Sequence, residues 1–335
     1  MNDKPKIAIT MGDPSGVGPE LCLKLLEDSE TLNLCQPVIF GSAEILELAA
    51  NELNLNPPKS ILSYESWQSL GTVDSKVQLI DIKNMKSNEL MKGQVSVESG
   101  QASLEYLEKA IDATISKNFD GLTTCPINKA SINKAGCEYP GHTEILAEKT
   151  GSNEYCMMQY SKEITASFVT CHVGLKEAFS LINQDRVLMV IKLTAKALEL
   201  INDSKSDNIL VCGLNPHSGE SGLFGEEEEE NLITPAIEKA LSMGYNVSGP
   251  IVPDTAFIPN RRKTTGAYIC MYHDQGHIPL KALAFDKAVN VTLGLPIVRT
   301  SVDHGTAFDI SWEGTANVSS LIEATKLATK LCTDS

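Results

Sequence analysis

The 335-residue chain has no C-x-x-C pair, no internal repeat and no apolar run near the roughly 20 residues that a membrane span requires. The missing run argues against an ordinary membrane helix. The first residues, MNDKPKIAIT, lack a basic stretch followed by an apolar one, so they do not read as a secretory leader. The expectation is a cytoplasmic protein. Positive charge is also scarce: 28 Lys and Arg stand against 43 Asp and Glu, a formal net charge of −15. Such a surface repels phosphate backbones and anionic lipids, which argues against nucleic-acid or membrane partners. A small anionic substrate is compatible with it, because a few local cations reverse the field inside a cleft. The nine cysteines are odd in number, and several lie within apolar runs, such as Cys212 in ILVCGL and Cys270 in YICMY. They read as reduced, buried residues of a reducing compartment.

The length exceeds what one hydrophobic core usually serves, so two domains are expected. Apolar residues make up 42% and charged residues 21%, the balance of a soluble globular protein. Short apolar runs alternate with helical patterns. Strands are expected at 6–10, 37–41, 77–82, 121–126, 165–171, 208–214, 267–272 and 288–294. Helices are expected over Glu20–Glu27, Glu98–Lys117, Gln184–Ile201 and Glu226–Met243. This alternation predicts an α/β protein with a largely parallel sheet. The acidic run Glu226–Glu230 follows Gly225 and reads as a solvated first helical turn facing the positive end of the dipole.

Three histidines share one setting. His172, His217 and His273 each stand just past an apolar strand, where α/β proteins place their sites. Neutral imidazole is a leading metal ligand, and carboxylates complement it. Glu220, Asp254 and Asp274 lie near. Each histidine taken alone is more often a hydrogen-bonded structural residue than a ligand, and the wide spacing matches no local metal motif.

The loop TMGDPSGVGPE contains Gly12, Asp13 and Gly16 and joins the first strand to a helix with Pro19 at its start. It matches neither G-x-G-x-x-G nor a P-loop. It reads as a ligand loop or as a plain strand-to-helix turn. In PGHTE, His142 and Thr143 open a helix, where Thr143 could cap or an anion could bind. Lys281, Asn290 and Arg299 surround an apolar strand and suggest an anionic substrate, with ordinary salt bridges as the alternative. RTSVDHGTAFDI (299–310) reads as a polar turn suited to a ligand.

Taken together, MGDPSGVGPE, PINKA, YPGHTE, GLNPHSGESGLFG, YHDQGHIPLK and GLPIVRTSVDHGTAFDI resemble the 4-hydroxythreonine-4-phosphate dehydrogenase (PdxA) family of vitamin B6 biosynthesis. The likeness runs from about residue 6 to residue 330. It implies a two-domain isocitrate/isopropylmalate dehydrogenase-like fold, with three-layer α/β/α domains and a cleft between them. Residues 1–130 and 290–335 would form the first domain. Residues 131–289 would form the second, with the metal ligands and the interface of a homodimer. The resemblance implies a divalent metal (zinc, magnesium, manganese or cobalt) on His172, His217 and His273, shared between subunits, with Asp254 as the nearby carboxylate. It implies substrate contacts from His142, Thr143, Lys281, Asn290 and Arg299. It assigns Asp303, His304, Gly305, Thr306 and Asp309 to NAD or NADP. Lys129, in PINKA, is the candidate for proton transfer.

The implied reaction is oxidation of a phosphorylated 3-hydroxy acid followed by β-decarboxylation, as in pyridoxal phosphate biosynthesis. The MGDPSG and GHIPLK segments are closer to the branch acting on 4-phospho-D-threonate and 4-phospho-D-erythronate in sugar-acid catabolism. HVGL stands where the family has H-x-P-L. Two other classes are a metal-dependent phosphoester hydrolase, built on the same histidines, and a non-catalytic sugar-phosphate sensor.

Overall fold

The structure is a computed structural model that describes residues 4–201, 206–284 and 287–333. Its strands are β1 (Lys6–Thr10), β2 (Gln36–Gly41), β3 (Ile61–Ser63), β4 (Leu79–Asp81), β5 (Gly121–Thr124) and β6 (Cys156–Tyr160). They continue with β7 (Thr165–Phe168), β8 (Ile209–Cys212), β9 (Val247–Ile251), β10 (Ala267–Cys270), β11 (Val289–Leu293) and β12 (Val298–Val302). The chain divides into two compact units, Met1–Asn153 with Leu295–Ser335, and Glu154–Gly294. Residues 131–153, expected in the second domain, fall in the first unit. The reason is packing: the helices Lys129–Lys134 and His142–Thr150 lie against the long helix Val97–Ile115.

In the first unit the strand order is β3-β4-β2-β1-β5-β12, and every pair is parallel. β1 lies between β2 and β5, so successive connections run to opposite sides of it. That switch point opens a crevice at the carboxyl ends of β1 and β5. The strands are covered on both faces and read as continuous apolar runs: Ile7, Ala8 and Ile9 are fully buried. Helix Val97–Ile115 starts where the Ser96 side chain accepts from the Ser99 N–H. It buries Ala102, Tyr106, Ala110 and Ala113, spaced three or four residues apart, on one face.

The second unit has the order β11-β6-β7-β10-β8-β9. β11, β6 and β7 pair antiparallel, whereas β7, β10, β8 and β9 run parallel. Helix Gln184–Ile201 packs Val187, Val190, Ile191, Thr194 and Ala197 into this unit. Its core gathers Met157, Phe168, Cys212, Tyr268 and Cys270.

Four strands were not expected from the sequence. β3 has only three residues, β6 (CMMQY) has no β-branched residue, and β9 (VSGPI) is interrupted by Gly249-Pro250. β12 corrects the reading of 299–310 as a turn throughout. Residues 298–302 form a buried strand in which Arg299 and Thr300 have partners from other segments. Thr300 Oγ1 lies 2.9 Å from Thr123 Oγ1 and donates to the Ala324 carbonyl at 2.9 Å. Ser301 donates to the Val302 carbonyl at 2.7 Å. None of the nine cysteines is in a disulfide, and six are buried.

Candidate active site

In the first unit, parallel β1, β5 and β12 bring three loops to the same edge. The glycines of the first loop approach the chain itself. A Cβ on Gly12 would run into the Pro126 carbonyl, and one on Gly16 would lie 2.8 Å from the Thr306 carbonyl. The Val17 N–H donates to that carbonyl at 3.0 Å. Residues 303–309 are thereby seated on the first loop. The Asn128 side chain reaches Thr306 Oγ1 at 3.5 Å, Asp303 N–H donates to Ser320, and His304 and Asp309 are exposed. Asp13 is fully buried, and its Oδ1 accepts from the Ser15 N–H at 2.8 Å. Burial pushes its carboxyl up to about 6, against the pull of the Ser15 N–H and the Ser131 hydroxyl.

Arg299 is the largest fully buried side chain among the described residues. It sits on β12 and donates from Nη2 to Thr124 Oγ1, at the end of β5, at 2.8 Å. Burial pulls its guanidinium down to about 9, and the charge of Glu144 pulls it back up. It is a cation at neutral pH. Burial, with Arg299 as a neighbouring charge, holds His142 well below the usual imidazole range, so the ring is neutral. The His142 Nε2 is buried without a hydrogen-bond partner. Helix His142–Thr150 is capped by Gly141 with no side-chain bond, which removes the reading of Thr143 as the cap. Lys129 opens the helix Lys129–Lys134, and its Cε lies against Gly141. One buried cation, one neutral histidine and an uncapped helix start form a setting for an oxyanion.

The second unit places His172, His217, His273 and Asp254 beyond the carboxyl ends of β7, β8, β10 and β9. Thr170 binds the Met271 carbonyl through both its N–H (3.2 Å) and its hydroxyl (2.7 Å), joining the ends of β7 and β10. As a result the ligand atoms of Cys171, His172 and His273 all lie within 4.8 Å of one another. His273 Nδ1 is 2.7 Å from Asp274 Oδ1, and its ring stacks at 3.8 Å on His277, which stacks in turn on Phe168. With the proton on Nδ1, that carboxylate fixes the tautomer and leaves Nε2 as a donor to a cation, the usual outer-shell arrangement of a metal-binding histidine. The donor set therefore suits a divalent cation.

His217 is not a member of this group. Its turn, Pro216–Glu220, instead packs against Pro253–Thr255, which carries Asp254. Both residues are exposed, as is His172. Gln275 ties the two neighbourhoods: its Nε2 donates to the Gly213 carbonyl and its Oε1 accepts from the Met271 N–H. Lys281 lies on the helix His273–Ala284, and Asn290 on β11 donates to Met157 Sδ at 3.3 Å.

Sequence reasoning missed Glu229. The acidic run 226–230 is not wholly solvated: Glu229 is 1% exposed and bonded to the loop before His217. A signal existed. Glu229, Ile233 and Ile237 recur at helical spacing, which puts this one glutamate on the apolar face.

Residues 33–328 match the family model described as pyridoxal phosphate biosynthetic protein PdxA. The chain belongs to the PdxA family. It is 43% identical over 99% of its own length and of its relative to a protein from Oceanobacillus iheyensis named "Putative D-threonate 4-phosphate dehydrogenase". It is 39% identical to a 4-hydroxythreonine-4-phosphate dehydrogenase from Desulforapulum autotrophicum, covering 98% of this chain and 95% of that protein. The crystal structure of 4-hydroxythreonine-4-phosphate dehydrogenase from Klebsiella pneumoniae superposes with a TM-score of 0.82 at 34% identity, covering 98% of this chain and all of that one. The PdxA chain is thus an oxidoreductase, and its α/β architecture is that of solved PdxA dehydrogenases.

Proposed function

We propose that this PdxA chain oxidises the C3 hydroxyl of a phosphorylated four-carbon hydroxy acid with NAD or NADP, and that the resulting 3-oxo acid loses its carboxylate. The observation that carries this reading is the donor group of Cys171, His172 and His273, with His273 oriented by Asp274. A divalent cation there would supply a Lewis acid for the reacting oxygen, and the nicotinamide would take the hydride. His172, His217 and His273 would hold the cation, with Asp254 as the accompanying carboxylate. His142, Thr143, Lys281, Asn290 and Arg299 bind the substrate's anionic and polar groups. Lys129 moves the proton. Asp303, His304, Gly305, Thr306 and Asp309 take the dinucleotide.

That His217 and Asp254 are not among the grouped donors supports a homodimer in which one copy's pair completes the other copy's site. Exposed apolar residues in the same unit, Leu175 (58%), Phe179 (47%) and Ile278 (67%), fit such an interface. The absence of any helix long and apolar enough to cross a membrane, among the described residues, is compatible with work in the cytoplasm.

Two substrates compete. 4-Hydroxythreonine 4-phosphate carries an amino group at C2, and D-threonate 4-phosphate a hydroxyl. The 43%-identical relative favours the second, whereas the solved structure and the 39%-identical relative accord with the first. Assaying NADH formation on both, and on D-erythronate 4-phosphate, decides between them. NADH with no release of free phosphate is expected. Phosphate released without NADH means hydrolysis instead, and ligand-induced thermal stabilisation with neither product means a sensor.

A further inference from the structure

The loop after β8 is held in a form that the backbone disfavours. Six consecutive residues, His217 to Gly222, have φ between 44° and 83°. Four of them, His217, Ser218, Glu220 and Ser221, are not glycine, and left-handed backbone strains each. Such a run persists only where its surroundings over-determine it.

The over-determining group is Glu229. It opens a π-helical turn, Glu229–Ile233, and its carboxylate is buried. Oε1 accepts from the N–H groups of Leu214 (2.8 Å) and Asn215 (2.7 Å), two consecutive donors just ahead of the turn. Oε2 accepts from Asn215 Nδ2 at 2.9 Å, and Glu228 accepts from the same nitrogen at 2.9 Å. The Asn215 carbonyl then accepts from the Ser218 N–H at 3.1 Å, closing the turn on His217. The turn also presses back on the carboxylate: a Cβ on Gly219 would lie 2.8 Å from Glu229 Oε2, at φ +76°. A buried carboxylate that receives three N–H bonds from one loop is a fixed peg, and the charge strengthens each bond.

We infer that Glu229 is a positioning residue: it holds the loop Leu214–Gly222 in its left-handed form and so sets the direction of the His217 ring. The inference rests on the reading of His217 as a metal ligand. Outer-shell groups that orient a ligand are worth about 10- to 100-fold in metal affinity. Glu229→Gln keeps the shape but leaves an amide facing Asn215 Nδ2, donor against donor, and removes the charge. Gly219→Ala disturbs the same contact from the loop side, with Glu229 and the turn it opens unchanged in sequence.

The test is titration of the metal-stripped full chain with Co²⁺ alone, followed by visible absorption and calorimetry. Wild type, His217→Ala, Glu229→Gln and Gly219→Ala are compared well below their metal-free melting temperatures. A merely structural role for Glu229 moves those temperatures and leaves Co²⁺ affinity and spectrum as in the wild type. Weakening of about 10- to 100-fold in both Glu229→Gln and Gly219→Ala, with an altered cobalt spectrum, is the expected result. If Glu229→Gln does not fold, Gly219→Ala carries the test alone. Loss in His217→Ala but wild-type affinity in the other two overturns the positioning role and leaves His217 a ligand. Wild-type affinity in His217→Ala overturns the ligand reading, and the inference with it.

Discussion

Asp13 and Arg299 are buried charges with opposite consequences. The Asp13 carboxyl is raised from 3.8 to about 6 by burial. Between those values the folded chain keeps a proton that the unfolded chain releases. Its contribution to stability is therefore full below pH 3.8 and is lost as pH rises through about 6. Asp13→Asn keeps an oxygen for the Ser15 N–H and removes this dependence. Urea unfolding between pH 4 and pH 7 should show wild type losing on the order of 3 kcal/mol relative to the variant. Parallel curves would contradict the assignment. Arg299 is the group we assign to the substrate's anion. Arg299→Lys retains charge but loses the planar fork that reaches Thr124. Hydrogen bonds to charged groups contribute about 1.5–3 kcal/mol, so KM for the phosphorylated acid should rise about 10- to 100-fold, with kcat falling less. Steady-state kinetics with an unchanged KM would remove Arg299 from the binding site.

Among the elements, the short helix Lys129–Lys134 depends on its cap. Asn128 Oδ1 accepts from the Ser131 N–H at 2.9 Å, and its Nδ2 reaches Thr306. Asn128→Ala should cost about 1 kcal/mol of stability, measured by denaturant unfolding. Weaker dinucleotide binding should accompany it, because the 303–309 loop loses a support. The elements also show what the sequence makes legible. β1, β8, β10 and the helix Gln184–Ile201 were readable because burial on both faces, or on one stripe, leaves a local apolar pattern. β12 was not, since its Arg299 and Thr300 are satisfied by Thr123, Thr124 and Ala324, which lie elsewhere in the chain. Likewise helical spacing sets Glu229 apart from the other glutamates of 226–230, but only the fold assigns it to the Leu214–Asn215 amides. The histidines were visible because each follows a strand. That His172 and His273 meet depends on β7 lying beside β10 and on Thr170 holding the Met271 carbonyl, and no local pattern carries it.

At the scale of the whole molecule, family membership rests on likeness along nearly the full chain. If His217 and Asp254 serve the partner's site, then His172→Ala and His217→Ala, each inactive alone, should regain part of the wild-type rate when mixed and exchanged. Mixed dimers would contain one site free of both changes. No recovery, with subunit exchange verified, would place all the ligands within one chain. The central claim is that these histidines support oxidation through a divalent metal, and one measurement tests it most directly. Reduction of NAD is followed on D-threonate 4-phosphate and 4-hydroxythreonine 4-phosphate, before and after chelation and with zinc, cobalt, manganese or magnesium restored. The account predicts that stripped protein is inactive, that a restored metal returns NADH formation, and that none does so in His273→Ala. Stripped, metal-free protein that keeps the wild-type rate would contradict it.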